Sequence, residues 1–248
     1  MSRNKQRNKE LSLTNVGGRL SLFLDSRVPT VLRDAITALG ICPILLPPYD
    51  ILPEPVAAHP DLLLFDLGGR LLLYRDYYEA NRELFSKIPV MLTAHPAGDV
   101  YPADVGMDAL SLGGVRYCLP DATCPEIICD CEVQPVKQGY AACAALKVNE
   151  NAIITADTTI AAAAEKRGVS VLKIRPGHIV LDGYDYGFIG GTAFFLEDTL
   201  YFAGDLFLHP DGEAIGDFCA LHGVKIHSLV AGFPLNDLGF LKYNKKSM

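Results

Sequence analysis

The sequence predicts an α/β fold, a single domain over residues 1–248 made of about five copies of a short strand–strand–helix–strand unit. Three observations carry this. Short apolar and β-branched runs come in pairs separated by turns as tight as NEN and GG, each pair is followed by a helical pattern and a third apolar run, and the Pro/Gly-rich connectors fall between copies. Hairpin turns of this length argue against a purely parallel doubly wound sheet, whose neighbouring strands need long crossovers.

The elements follow in order. Residues 1–15, beginning MSRNKQRNKELSL, form a basic lead-in without the apolar stretch of a secretory signal, and flexibility is expected there. The first copy reads RLSLFLD, a helix over PTVLRDAITALG, then CPILL. Its missing opening strand can come from LNDLGFLKY near the C-terminus, which would close a ring. The second copy, 59–93, gives DLLLF, the turn DLGG, RLLLY, a helix over YYEANRELF, and PVMLT. The third, 108–136, gives ALSL, GG, VRYC, a stunted helix near CPEIIC, and EVQPV. The fourth is the clearest: CAALKV, NEN, AIITA, then Asp157 as N-cap of TTIAAAAEKR, a stop at Gly168, and VSVLKI. The fifth gives TAFFL, EDT, LYFAG, Asp205, a helix over GEAIGDFCALHG, and VKIHSL.

Composition narrows the function classes. Half the residues are hydrophobic, enough for a sizeable core. A net charge of −7 with scattered basic residues argues against nucleic acid, whose phosphates need a concentrated positive face. No apolar run approaches the roughly 18–20 residues of a membrane span. Seven cysteines without a signal peptide point to free thiols in the cytoplasm.

Several residues stand out chemically. Asp25 and Arg27, in DSRVP, sit two apart at a strand end and can point the same way, as a substrate-binding pair or as a salt bridge before the helix that Pro29 opens. His-Pro-Asp occurs at 59–61 and again at 209–211, where it reads as a loop. GYDYGFIGG, at 183–191, is either a ligand-facing loop with aromatics beside close backbone or a tight crossover that needs positive φ. It lacks the dinucleotide fingerprint, and no phosphate-binding loop is present. Cys118, Cys124, Cys129 and Cys131 cluster but lack paired C-x-x-C knuckles, so neither a metal nor a cofactor is expected.

Five such units in a ring resemble the pentein fold of guanidino-group-modifying enzymes, which include arginine deiminases, dimethylargininases and amidinotransferases, and also a non-catalytic ribosome-associated factor. The segments DSRVP at 25–29, HPD at 59–61, VKQGYAAC at 136–143, NAIITAD at 151–157, GYDYGFIGG at 183–191 and PLND at 234–237 are similar to a bacterial family of that fold without an established activity.

The resemblance implies a central cavity served by the start of each copy. Five places then become neighbours: His59 with Asp61, then Asp108, Cys143, Gly190 with Gly191 and Thr192, and Asn236 with Asp237. Catalytic penteins use a cysteine late in the last copy, a histidine, and carboxylates that grip the guanidinium. Here PLNDLGF carries no cysteine. Cys143, His59 and Asp61 are the candidate catalytic set in a rearranged constellation, with Asp25, Arg27, Asp108, Gly190, Gly191, Asn236 and Asp237 as candidate substrate-binding residues. Cys143 as a small core residue is the alternative. Two functions follow: an enzyme cleaving a C–N bond of a small guanidino or amidino compound, or a non-catalytic binding or scaffold module on the same ring.

Overall fold

The computed structural model describes residues 20–244; the basic lead-in lies outside the described residues. The first blade holds β1 (Leu20–Asp25), α1 (Thr30–Ala38) and β2 (Ile44–Leu46). The second begins with a helical turn, α2 (Pro60–Leu63), and continues through β3 (Leu64–Asp66), β4 (Leu71–Tyr74), α3 (Arg75–Ala80) and β5 (Val90–Thr93). The third contains β6 (Leu110–Leu112), β7 (Val115–Cys118), α4 (Pro125–Ile128) and β8 (Glu132–Pro135). The fourth has α5 (Ala141–Ala144), β9 (Ala145–Asn149), β10 (Ala152–Thr155), α6 (Thr158–Lys166) and β11 (Ser170–Lys173). The fifth has β12 (Ala193–Leu196), β13 (Thr199–Phe202), α7 (Gly212–Leu221) and β14 (Lys225–Ser228), and β15 (Leu241–Asn244) ends the described chain.

Every sheet has three strands in the same order: an antiparallel partner, a middle strand, and a third strand that a helix returns parallel to the middle one. The first sheet obtains its antiparallel member from the far end of the chain, with Leu22 opposite Lys242 and Phe23 opposite Leu241. The expected ring closure is therefore present.

A three-stranded sheet this short cannot bury a face alone. Its apolar residues pack instead against the next blade. One cluster joins Phe23 and Tyr243 of the first blade, Leu72 of the second and Met107 and Cys118 of the third. Others link Leu112 to Ile160, Ile154 to Phe202, and Phe194 to Leu24. The core is thus distributed over all five junctions.

Asp157 caps α6 as expected, accepting from the Thr159 and Ile160 amides at 2.8 Å each. Asp205 instead caps a short 3₁₀ turn, Leu206–Leu208, and ties Gly232 across the loop. The helix expected over YYEANRELF breaks at Asn81 into α3 and a 3₁₀ turn. Two expected strands also start late. The DLL of DLLLF and the CA of CAALKV are helical turns, with Leu62 and Leu63 amides closing on the His59 carbonyl behind Pro60. Short apolar runs fit either state, and here the turn carries the chain from the rim into the ring.

Tyr243 tests the closure, since its buried ring packs in the first junction and its hydroxyl donates to the Gly69 carbonyl at 2.8 Å. Tyr243→Ala is expected to cost about 3–5 kcal/mol and Tyr243→Phe about 1 kcal/mol, read from denaturant midpoints. Equal, small effects would mean that β15 adds little to the ring.

Candidate functional site

The turns before the first strands meet in the middle of the ring. α2 presents His59 and Asp61, and α5 presents Cys143. Gly190–Thr192 forms a 3₁₀ turn, and the chain entering β15 brings Asn236, Asp237 and Gly239. These pieces are stitched together directly. The Asp61 amide donates to the Gly239 carbonyl at 3.1 Å, and the Leu238 amide to the Gly191 carbonyl at 2.9 Å.

At the centre, the Cys143 thiol donates to Asp61 Oδ2 at 2.9 Å. Asp108, fully buried, accepts from the Ala142 amide through Oδ1 and so holds α5 in place. Asp237 accepts from the Phe188 amide at 2.8 Å and the Gly239 amide at 3.2 Å. Asp61 Oδ1 and Asp108 Oδ2 are buried acceptors without a hydrogen-bond donor. Such acceptors each cost about 1–3 kcal/mol unless something fills them.

Close approach explains the glycines. A Cβ on Gly239, at φ +56°, would run into the Asp61 carboxylate and His59, and one on Gly191 would run into Asp237. Gly190 abuts the Ala142 and Cys143 carbonyls and borders a separate groove beside β9 and β12. Gly190 and Gly191 thus make room for neighbouring protein groups at the centre of the ring.

Electrostatics follow from burial. Desolvation lifts Asp61 and Asp237 to about 6; the Cys143 hydrogen bond opposes this at Asp61, and the His59 charge opposes it at Asp237. Asp108 is pushed up further by burial and by Asp61. Burial and then Asp108, Asp61 and Asp237 raise the Cys143 thiol well above its usual range. Burial lowers His59, against a smaller upward pull from Asp237. The resting site is rich in acceptors and holds a protonated thiol.

Two cavities meet here. His59, Cys143 and Asp237 lie at the base of one of about 240 Å³, walled by Tyr140, Tyr184, Tyr186 and Phe188. The other, about 260 Å³, shares His59, Asp237 and Leu181 with the first and adds Asp25, Arg27 and Asn236. Asp25 and Arg27 form a bidentate pair, at 3.0 and 2.7 Å, and Arg27 also binds the carbonyls of Glu54 and Pro55. The salt-bridge alternative for this pair is the observed one, and it faces the second cavity. Asn236 turns its amide back to the Pro234 carbonyl at 2.8 Å.

Nothing in the sequence singled out Tyr140, whose hydroxyl donates to buried Asp104. The run GYDYGFIGG gave the only signal for the aromatic wall. Asp61, Asp108 and Cys143 are also a group of three whose donor atoms, within 4.8 Å of one another, could share a metal ion. In the cysteine cluster, Cys129 and Cys131 donate to helix carbonyls while Cys118 and Cys124 are buried. The second HPD is structural: His209 Nδ1 accepts from the Asp211 amide at 3.0 Å.

The fold has relatives among solved structures. A DDAH variant from Pseudomonas aeruginosa, complexed with citrulline, superposes with a TM-score of 0.51 at 12% identity, over 84% of this chain and 91% of that one. The C. jejuni agmatine deiminase gives 0.52 at 12% identity, over 85% and 86%. ArgZ, an arginine dihydrolase from cyanobacteria, gives 0.53 at 13% identity, with 92% of this chain matching 40% of that longer one. The fold is that of the pentein enzymes, and at these identities the likeness extends to the fold alone. No helix among the described residues is long and apolar enough to cross a membrane. No curated protein matches the sequence. Residues 23–241 match the family of unknown function DUF6873, and the chain belongs to that family.

Proposed function

We propose that the Cys143 cavity binds a small guanidinium or amidinium cation and that Cys143 attacks its central carbon, cleaving a C–N bond. The observation that carries this reading is the placement of the Cys143 thiol, which lines the cavity together with Asp237, against the buried carboxylates of Asp61 and Asp108 behind it, with no lysine or arginine in the cavity lining among the described residues. A planar cation with several N–H donors suits such a site. Its charge would also offset the three carboxylates that keep the thiol protonated, so binding itself would favour the thiolate. The folds named for dimethylarginine, agmatine and arginine chemistry support the same class of ligand.

Asp61, in hydrogen-bond contact, takes the thiol proton, and Sγ bonds to the guanidinium carbon. The departing nitrogen leaves as an amine or ammonia with that one proton, passed on from Asp61 to His59, whose ring borders the same point beside Gly239, and from His59 to the nitrogen. Water then attacks the resulting thiouronium carbon and the C–S bond breaks; of the two protons the water gives up, one restores the thiol and the other passes through Asp61 to the released amine or to solvent, leaving a urea-type product. Asp108 acts as a positioning residue through the Ala142 amide.

A non-catalytic receptor is the second reading. It is favoured by the absence of a cysteine in PLNDLGF and by a resting thiol that serves as the hydrogen-bond donor to Asp61. Turnover separates the two. Incubation with agmatine, arginine and methylated arginines is expected to release ammonia or an amine, and Cys143→Ala is expected to abolish release while Cys143→Ser still binds. Unchanged turnover in Cys143→Ala would sink the nucleophile assignment, and binding without turnover in the wild type would select the receptor.

The buried carboxyls also set a pH signature. A carboxyl held at about 6 instead of 3.8 protonates more readily folded than unfolded, so its ionisation removes stability as pH rises from 3.8 through about 6. For Asp61 that loss is about 3 kcal/mol. His59, lowered by burial, works in the opposite direction, its contribution fading as pH falls below 6.5. The difference between Asp61→Asn and wild type isolates the carboxyl. The variant is expected to gain stability relative to wild type between pH 4 and 7, measured by denaturant unfolding. A gap independent of pH would mean that Asp61 is not held protonated by the fold.

A further inference from the structure

We infer that the ligand of the Cys143 cavity carries no carboxylate: it is a guanidino or amidino compound on a flat, apolar or amine-bearing arm, not an α-amino acid. The inference rests on the cation reading above and concerns the part of the ligand that points away from Cys143.

The lining of that cavity, among the described residues, contains no lysine or arginine. Its only ionisable groups besides Cys143, His59 and the tyrosines are the carboxylates Asp237, at the base, and Asp185, exposed near the rim. Burial disfavours the charged form of His59. A second carboxylate brought in by the ligand would lose its water and meet two like charges, with no fixed cation to receive it.

Arg27 is the guanidinium beside the neighbouring cavity, and it is already committed. Its Nε and Nη2 bind Asp25, Nη1 binds the Glu54 carbonyl and carboxylate, and Nη2 also binds the Pro55 carbonyl. Releasing it to grip an amino acid would strand Asp25, which is 4% exposed.

The walls favour an apolar arm. Phe188 lies 6.1 Å from the Tyr140 ring and perpendicular to Tyr186 at 6.4 Å. Tyr101 stacks on Tyr140 from behind at 5.9 Å, and the Tyr140 hydroxyl is fixed on Asp104. The aromatic corner is therefore held in place before any ligand arrives. It offers π faces to a flat arm or to an ammonium, and Asp185 can receive an amine at the rim.

Calorimetric titration of the Cys143→Ser protein, with wild type alongside, decides the matter using guanidinium, agmatine, arginine and benzamidine. Arginine and agmatine differ only in the carboxylate. Agmatine and benzamidine are expected to bind about tenfold or more tighter than arginine. Asp185→Arg, at an exposed position, is expected to narrow the agmatine-to-arginine ratio by raising arginine affinity. Arginine binding as tightly as agmatine would overturn the inference and leave the cation reading standing. Failure of all four ligands to bind either protein would overturn the cation reading, and the inference with it.

Discussion

The pairing of β15 with β1 is the constraint on which the rest depends. Each sheet has three strands and buries its apolar residues only against neighbouring blades, so an open chain of blades would expose two apolar ends. Closing the first sheet with the last strand removes both ends. The same closure delivers Asp237 and Gly239 to His59 and Asp61, since the segment entering β15 passes through the middle of the ring. Fold stability and site assembly are thus one event, and damage to the closing strand reaches the centre.

That centre is costly to keep. Three carboxylates and a thiol are removed from water around one point, two carboxylate oxygens have no donor, and Gly239 and Gly191 surrender side chains to let the acids approach. A core built only for stability would place aliphatic groups here, as the five junctions around it do. Groups whose ionisation is disfavoured by their surroundings tend to be retained where something binds or reacts. The surrounding shell is orderly by comparison: Asp237 and Asp108 hold backbone amides, and Tyr140 is tied to Asp104.

The blades were legible in the sequence because their signals are local. NEN, GG and EDT announce hairpins, Asp157 and Gly168 bracket α6, and alternation does the rest. The start of each copy was also readable as a meeting place, since equivalent positions in a ring converge; His59, Asp61, Asp108, Cys143 and Asp237 do gather at one centre. What the sequence hid is what depends on contact at long range. DLL and CA could be strand or turn until the ring required the chain to descend inward. Tyr140 and Asp104 are unremarkable residues until their hydroxyl and carboxylate meet 36 positions apart. For glycines 190 and 191 the sequence could not show that a side chain there would meet the Ala142 and Cys143 carbonyls or Asp237.

The cysteine missing from the last copy has a different meaning once the centre is seen. In a five-fold ring every copy begins at the same central space, so a nucleophile can arrive from any of them if the others supply the remaining groups. Here the fourth copy supplies the thiol, the second and third supply Asp61, Asp108 and His59, and the strand that closes the first supplies Asp237. The fifth gives glycines, which is the condition for Asp237 to fit. The consequence is electrostatic. A thiol with a histidinium beside it would ionise unaided, whereas burial, the hydrogen bond to one carboxylate and the two others nearby favour the protonated form of Cys143. Under the proposed function, discrimination precedes chemistry: a neutral or anionic compound entering the cavity would meet an inert thiol, and only a cation would meet a nucleophile.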